Sequence, residues 1–173
     1  MKNSNFPISR FHELLQSGQT VLIATCSSGK NNVMAAAWQT PLNFSPALIA
    51  VVINSDSLTH KTLLETREAV IAVPTAEIVS AVMGCGTTTG FDTDKFKKFG
   101  LTAATADTVS APLINECFAN LECTLYDDTL AEKHDLFILE VKKLHLNKNI
   151  TEPQTLHYLH DSEFFIPGRK IKA

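Results

Sequence analysis

Three apolar segments crowd into the first third of the chain: QTVLIATC (residues 19–26), VMAAAWQT (33–40) and ALIAVVI (47–53), with six residues between each pair. A parallel crossover needs a dozen or more residues, so strands this closely spaced are expected to pair antiparallel. The first connection, SSGKNN, holds Gly29, a residue free to take the positive φ of a tight hairpin. The second is bounded by Pro41 and Pro46, which are expected to interrupt strand pairing there.

After the third apolar run comes NSDSLTHKT, a helix start, read with Thr59 as the N-cap and Leu58 and Leu63 packing across it. AVIAVP then reads as a strand, AEIVSAVMG as a short helix, GCGTTTG as a glycine and threonine loop, and DTDKFKKFG as a charged helical piece. The second half carries strands at FANLECTLYDD and DLFILEVKKLHL, where Phe137, Leu139 and Val141 alternate with Ile138, Glu140 and Lys142, and a last apolar piece at SEFFIPGRKI. Strands outnumber helices and no βαβ rhythm recurs. The expected fold is a single mostly β domain over residues 1–173, an antiparallel, Greek-key-like barrel with short peripheral helices.

Composition narrows the function. A formal charge of -3 offers no basic field for nucleic acid, and 45% hydrophobic residues exclude a disordered chain. The longest unbroken apolar run, Ala47 to Ile53, is far short of the roughly 20 residues of a membrane-spanning helix. MKNSNFPISRFHELLQ lacks the apolar centre of a signal peptide, so a cytoplasmic location is expected. Cys26, Cys85, Cys117 and Cys123 form no CxxC pair and no Cys/His cluster at metal spacing, which points to free thiols and no metal site. Cys85, between Gly84 and Gly86, is the one in an unusual setting.

Familiar catalytic motifs fail. The glycines of GCGTTTG give G-x-G-x-x-x-G after a helix, the wrong spacing in the wrong context for a dinucleotide fingerprint, and no Gly-Lys-Ser/Thr follows. Two readings of that loop stay open: local turns, or a backbone and hydroxyls, Thr88 among them, that touch a ligand. No catalytic residue is assigned. Two segments suit a ligand better. Ser55, Ser57, Thr59, His60 and Lys61 gather at a helix start, where unpaired amides and a partial positive charge favour a phosphate. Asp56 would repel that anion and is therefore expected to point away. The other segment is NNVMAAAWQT: Asn32 supplies a donor and an acceptor, while Met34, Ala35, Ala36, Ala37 and Trp38 make a small-residue ledge beside the only tryptophan. A flat heteroaromatic ring needs that mixture of close apolar approach and hydrogen bonds.

In order and spacing, the Asn-to-Trp small-residue run, the Pro-bounded connection, the apolar strand, the Ser/Thr-His-Lys helix start, the VP strand end and the later DKF resemble the flavin reductase-like family of FMN-binding split barrels, from about Phe11 to Gly168. The resemblance implies that Asn32 and Trp38 lie beside an isoalloxazine ring, Thr59 and Lys95 at the flavin and its phosphate, and His134 before the long strand. It also implies that Phe164, or its neighbour Phe165, closes over the ring. In this chain Glu132 and Lys133 precede His134 where relatives have Gly-Asp, and His60 and Lys61 stand where many have arginine. FMN as cofactor, NAD(P)H as possible substrate, a homodimer with flavin near the interface and a redox partner protein are what the resemblance further implies. An electron-transfer module without its own NAD(P)H turnover is the alternative.

Overall fold

The computed structural model describes residues 15, 18–169 and 171–172. The MKNSNFPISRFHELLQ segment is therefore, but for Leu15, outside the described residues, as is the start of the family-like stretch at Phe11.

The strands of the main sheet are β1 (Val21–Ser27), β2 (Lys30–Ala36), β3 (Gln39–Asn43), β4 (Leu48–Val52), β5 (Glu68–Val73), β8 (Ala119–Asp127) and β9 (Leu136–Leu146). The pairs β6 (Ala103–Ala104) with β7 (Leu113–Ile114), and β10 (His157–Tyr158) with β11 (Phe164–Phe165), form two small hairpins. Helices α1 (Leu58–Thr66), α2 (Val79–Thr87), α3 (Lys95–Phe99) and α4 (Ala131–His134) lie between them. The seven strands run in the order β2-β1-β5-β8-β9-β4-β3, and every neighbouring pair is antiparallel.

That order places β2 and β3 at opposite edges, yet only Ala37 and Trp38 separate them in the chain. Seven strands laid flat would hold their outer members about 29 Å apart, whereas three Cα steps reach about 11 Å at most. The sheet has to curl until its edges nearly meet. The result is a split barrel, with the Ala37–Trp38 link at the split.

The β1–β2 turn is the two-residue hairpin expected of SSGKNN: Ser28 (φ 50) and Gly29 (φ 76) both take positive φ, and Ser27 pairs with Lys30. The proline segment differs from expectation only in part. Pro41 lies inside β3, tolerated because β3 is an edge strand with one unpaired side; the register with β4 shifts directly after it, between Pro41 and Asn43, where the strand ends. Alternation on β1 sends Val21 and Ile23 into the barrel with Val51, Leu63, Ile71, Phe137 and Leu139. Leu22 and Ala24 face a second core beneath α2 and α3, with Val82, Phe96, Leu101 and Ile114. Both faces of the central strands are therefore buried, which is why their sequences read as apolar runs.

The long passage from α3 to β8 has little regular structure, and side chains hold its backbone instead. Glu122, on β8 with 0% exposure, accepts from the amides of Asp107 and Thr108, the Thr108 hydroxyl and His145 Nε2. Asn120 exchanges two hydrogen bonds with the backbone of Ile114. Asp107, Glu122 and His145 bring ligand-type atoms within 4.8 Å of one another, but Glu122 is already satisfied and Lys143 Nζ pairs with Asp107 at 2.7 Å. Burial pushes the Glu122 carboxyl up, but its hydrogen bonds from Thr108, Asp107 and His145 win and hold it at about 2, below the ordinary 4.5. A depressed folded-state value stabilises the fold above pH 4.5, and that contribution disappears as pH falls toward 2. Glu122→Gln should therefore cost about 1.5–3 kcal/mol in urea unfolding at neutral pH, with the gap to wild type closing on acidification. A gap independent of pH would contradict this role.

Candidate functional site

Asn32 stands on β2 opposite Thr25, and its side chain reaches α1, where Nδ2 donates to Thr59 Oγ1 at 2.8 Å. Both residues are buried. The helix start is built differently from the sequence expectation: Ser57, not Thr59, is the N-cap, its Oγ accepting from the His60 amide at 3.1 Å. One step into the helix, Thr59 is freed from capping. Having accepted from Asn32, its hydroxyl keeps its own proton to donate. Asn32 Oδ1, also buried, has no hydrogen-bond partner among the described residues.

Two cavities meet at this point. The larger, about 510 Å³, has its floor on Met34, Ala35, Ala36, Ala37 and Trp38, with Val82, Met83, Gly86 and Thr87 of α2 above and Tyr158 and Phe164 closing one end. The smaller, about 330 Å³, is the more polar of the two and is lined by Asn32, Ser57, Thr59, Thr88, Thr89 and Lys95 among others. Met34, Asn54, Gly86 and Thr87 border both, so the two cavities are contiguous. The alanine ledge and the helix start, far apart in sequence, share one groove.

Lys95 is the cation of the polar end. It is 4% exposed, its Nζ donates to the carbonyl of Cys85 at 2.9 Å, and no carboxylate pairs with it among the described residues. Burial draws the ammonium down from its ordinary 10.5, against the influence of Cys85. An anion in the cavity would reverse that shift and supply the missing counter-charge.

The GCGTTTG segment departs from the loop expected. Its first residues complete α2, because Gly84 and Gly86 serve close packing instead of turning the chain. A Cβ on Gly84 would lie 2.3 Å from the Phe99 ring, and one on Gly86 would lie 3.3 Å from Ala35 Cβ. Gly90 works likewise at the polar end, where an added Cβ would lie 2.2 Å from Asn32 Oδ1. Side chains at Gly86 and Gly90 would crowd the groove.

The remaining candidates divide. Phe164 lines the apolar cavity and meets Tyr158 edge-on at 5.3 Å, while Phe165 stacks on His157 at 4.9 Å. Ser55 is exposed and borders neither cavity. Lys61 faces a neighbouring groove with Lys30, Glu65 and Phe91. His60 turns its ring onto Phe137, 5.0 Å away, and lies outside both cavities. His134 is exposed at the end of α4; the residue after it, Asp135, lines the apolar cavity instead. Asp56 borders the polar cavity rather than pointing away from it, at an exposed position where solvent screens its charge. Thr20, Asn54, Asp135 and Tyr158 join the site without a signal in the sequence. Tyr158 is placed by its pairing with Phe164 and by a long-range contact, its amide donating to Thr20 Oγ1 at 3.1 Å.

Comparison with known proteins assigns the chain to a family and a fold. The flavin reductase like domain profile matches residues 15–165. The chain belongs to the flavin reductase-like family. An uncharacterized protein of Archaeoglobus fulgidus is 41% identical over 112 residues, 65% of this chain and 63% of that one, so the match spans less than two thirds of that relative. Escherichia coli YddH, also uncharacterized, is 29% identical and covered to 97% by 96% of this chain. Among solved structures, an FMN-binding domain of a flavin reductases-like enzyme from Shewanella baltica superposes with TM-score 0.82 at 28% identity, covering 96% of this chain and 95% of that one. Flavoredoxin of Desulfovibrio vulgaris shares the fold, with TM-score 0.84 at 22% identity over 100% of this chain and 97% of its own. No helix among the described residues is long and apolar enough to cross a membrane.

The thiol beside the site is shielded. Burial pushes Cys85 up to about 11 despite Lys95, and raises Cys117 and Cys123 to about 12. Cys26 is the half-buried thiol. A thiol-specific reagent near pH 8 should therefore label Cys26 first and leave Cys85 intact until the protein unfolds. Rapid labelling of Cys85 in the folded protein would contradict its burial.

Proposed function

We propose that this chain is an FMN-binding oxidoreductase of the flavoredoxin type, passing electrons from NAD(P)H or a protein donor through bound FMN. The observation that carries the reading is the contiguity of an apolar, alanine-floored cavity with a polar one holding a buried, carboxylate-free lysine. A ligand with a flat ring at one end and an anion at the other meets both halves. FMN supplies the redox chemistry when bound; the protein supplies position and electrostatics.

In this reading Ala35, Ala36 and Ala37 let the backbone approach the ring, Met34 and Trp38 bound it, and Phe164 with Tyr158 excludes water from its outer end. Asn32, with its unused acceptor, serves the polar edge. Thr59, Ser57, Thr88 and Lys95 receive the phosphate, which carries about two negative charges, and Lys95 is their one buried counter-charge. A homodimer fits the same picture, because Trp38, Leu42 and Phe44 expose apolar surface at the split edge, Phe44 at 99% exposure. Light scattering that finds a monomer would remove that part. A cytoplasmic location and a redox partner protein belong to the proposal as well.

Protein purified from cells should be yellow, or become so on adding FMN. Thr59→Ala should weaken FMN by about 1–3 kcal/mol, and Lys95→Met by about 1.5–3 kcal/mol, measured by flavin fluorescence titration. Loss of helix stability with unchanged FMN affinity would return Thr59 to a structural role. Adding NADH or NADPH without oxygen then divides the readings: bleaching of the yellow band supports a reductase, and persistent colour supports an electron-transfer module fed by another protein.

A further inference from the structure

Asp135 is the one charged residue that lines the apolar cavity, among the described residues. It follows α4 in the left-handed conformation (φ 55), which aspartate tolerates better than most residues. Its amide donates to Ala131 at 3.0 Å and its carbonyl accepts from Ile53 at 2.9 Å, so the backbone bearing the carboxylate is tied to both α4 and the end of β4. Behind it lies His60. The imidazole Nε2 is buried without a hydrogen-bond partner and sits 3.9 Å from Asp135 Oδ1, with the side chain 12% exposed. A buried polar nitrogen left unpaired is costly, and this one is separated from a carboxylate by a gap that a bridging water or a small rotation closes. The other charged or titratable groups nearby are Asp56 before α1, Lys61 and Glu65 on α1, and Glu132, Lys133 and His134 on α4, all exposed; Tyr158 is the second titratable group on the cavity wall.

We propose that Asp135, on the wall of the apolar cavity, and His60, 3.9 Å from its carboxylate and outside the cavity, form a proton-exchanging pair that takes up one proton from solvent when a flavin ring held in the cavity is reduced. This rests on the FMN reading above. Hydride transfer from a reduced nicotinamide adds two electrons and one proton to the ring, which gains one negative charge. Asp135 alone would oppose that charge. With His60 behind it, a solvent proton bonds to Nε2, the imidazolium pairs with the Asp135 carboxylate, and the pair changes from one negative charge to none. Nothing else is oxidised or reduced and no bond within the pair breaks. His60 acts through Asp135 and is a positioning residue in this scheme.

The test measures the midpoint potential of FMN-loaded wild type, His60→Gln and Asp135→Asn by spectroelectrochemistry across the neutral pH range, after FMN uptake has been read by absorption. The wild-type potential should fall more steeply with pH than that of either variant, by about 30 mV per pH unit, which is one extra proton in a two-electron couple. Equal slopes in all three proteins would overturn the pair while leaving the FMN reading intact. Wild type that takes up no FMN would remove both. His60→Gln sacrifices ring packing on Phe137 and could unfold; Asp135→Asn keeps the left-handed preference and the side-chain size, so its slope decides alone if needed.

Discussion

The two-residue link between β2 and β3 is the constraint on which the rest depends. Ala37 and Trp38 must carry the chain from one edge of a seven-stranded sheet to the other, and only a curled sheet lets them do so. Closing the sheet this way leaves a split instead of a seam, since β2 and β3 share no pairing register. The apolar cavity lies along that split, its floor the small residues that approach and cross it. Alanines at 35, 36 and 37 keep the opening wide; larger side chains would fill it. The same requirement operates from above, where Gly86 brings α2 against Ala35.

The polar end follows from how α1 begins. With Ser57 capping the helix, Thr59 is released to accept from Asn32 and to donate into the cavity. Lys95 arrives from α3, whose own N-cap is Asp94 and whose end is Gly100 at positive φ. A buried ammonium with one carbonyl acceptor and no carboxylate is an incomplete arrangement, and an anionic group completes it. Ring end and anion end differ in polarity because they are built from different elements. Their common border of Met34, Asn54, Gly86 and Thr87 makes them one site.

Much of this was legible in the sequence where the physics is local. The short first connection forced antiparallel pairing, Gly29 marked its hairpin, and the alternation of Phe137, Leu139 and Val141 marked β9, but VMAAAWQT, read as one strand, is divided at Ala37 and Trp38 between β2 and β3, because the chain must cross the split there. Asn32, Thr59 and the alanine run were named from their chemistry and Lys95 from the family resemblance, and all of them line the groove. The rest depended on tertiary contacts. Gly84 read as the end of a short helix and Gly86 as a loop residue because glycine disfavours helices, but both lie within α2, where Phe99 and Ala35 leave little room for a side chain. His60 and Lys61 share a helix start with Thr59, yet helical rotation points the three in different directions. Tyr158 sits on a two-residue strand, too short to leave a periodic signal.

The most direct test of the central claim compares FMN with riboflavin, which carries the same ring without the phosphate. If one groove holds the ring on the alanine ledge and the phosphate at Lys95 and Thr59, wild type should bind FMN at least about tenfold more tightly than riboflavin, and Lys95→Met should erase most of that preference. Equal affinity of wild type for the two flavins would contradict the account.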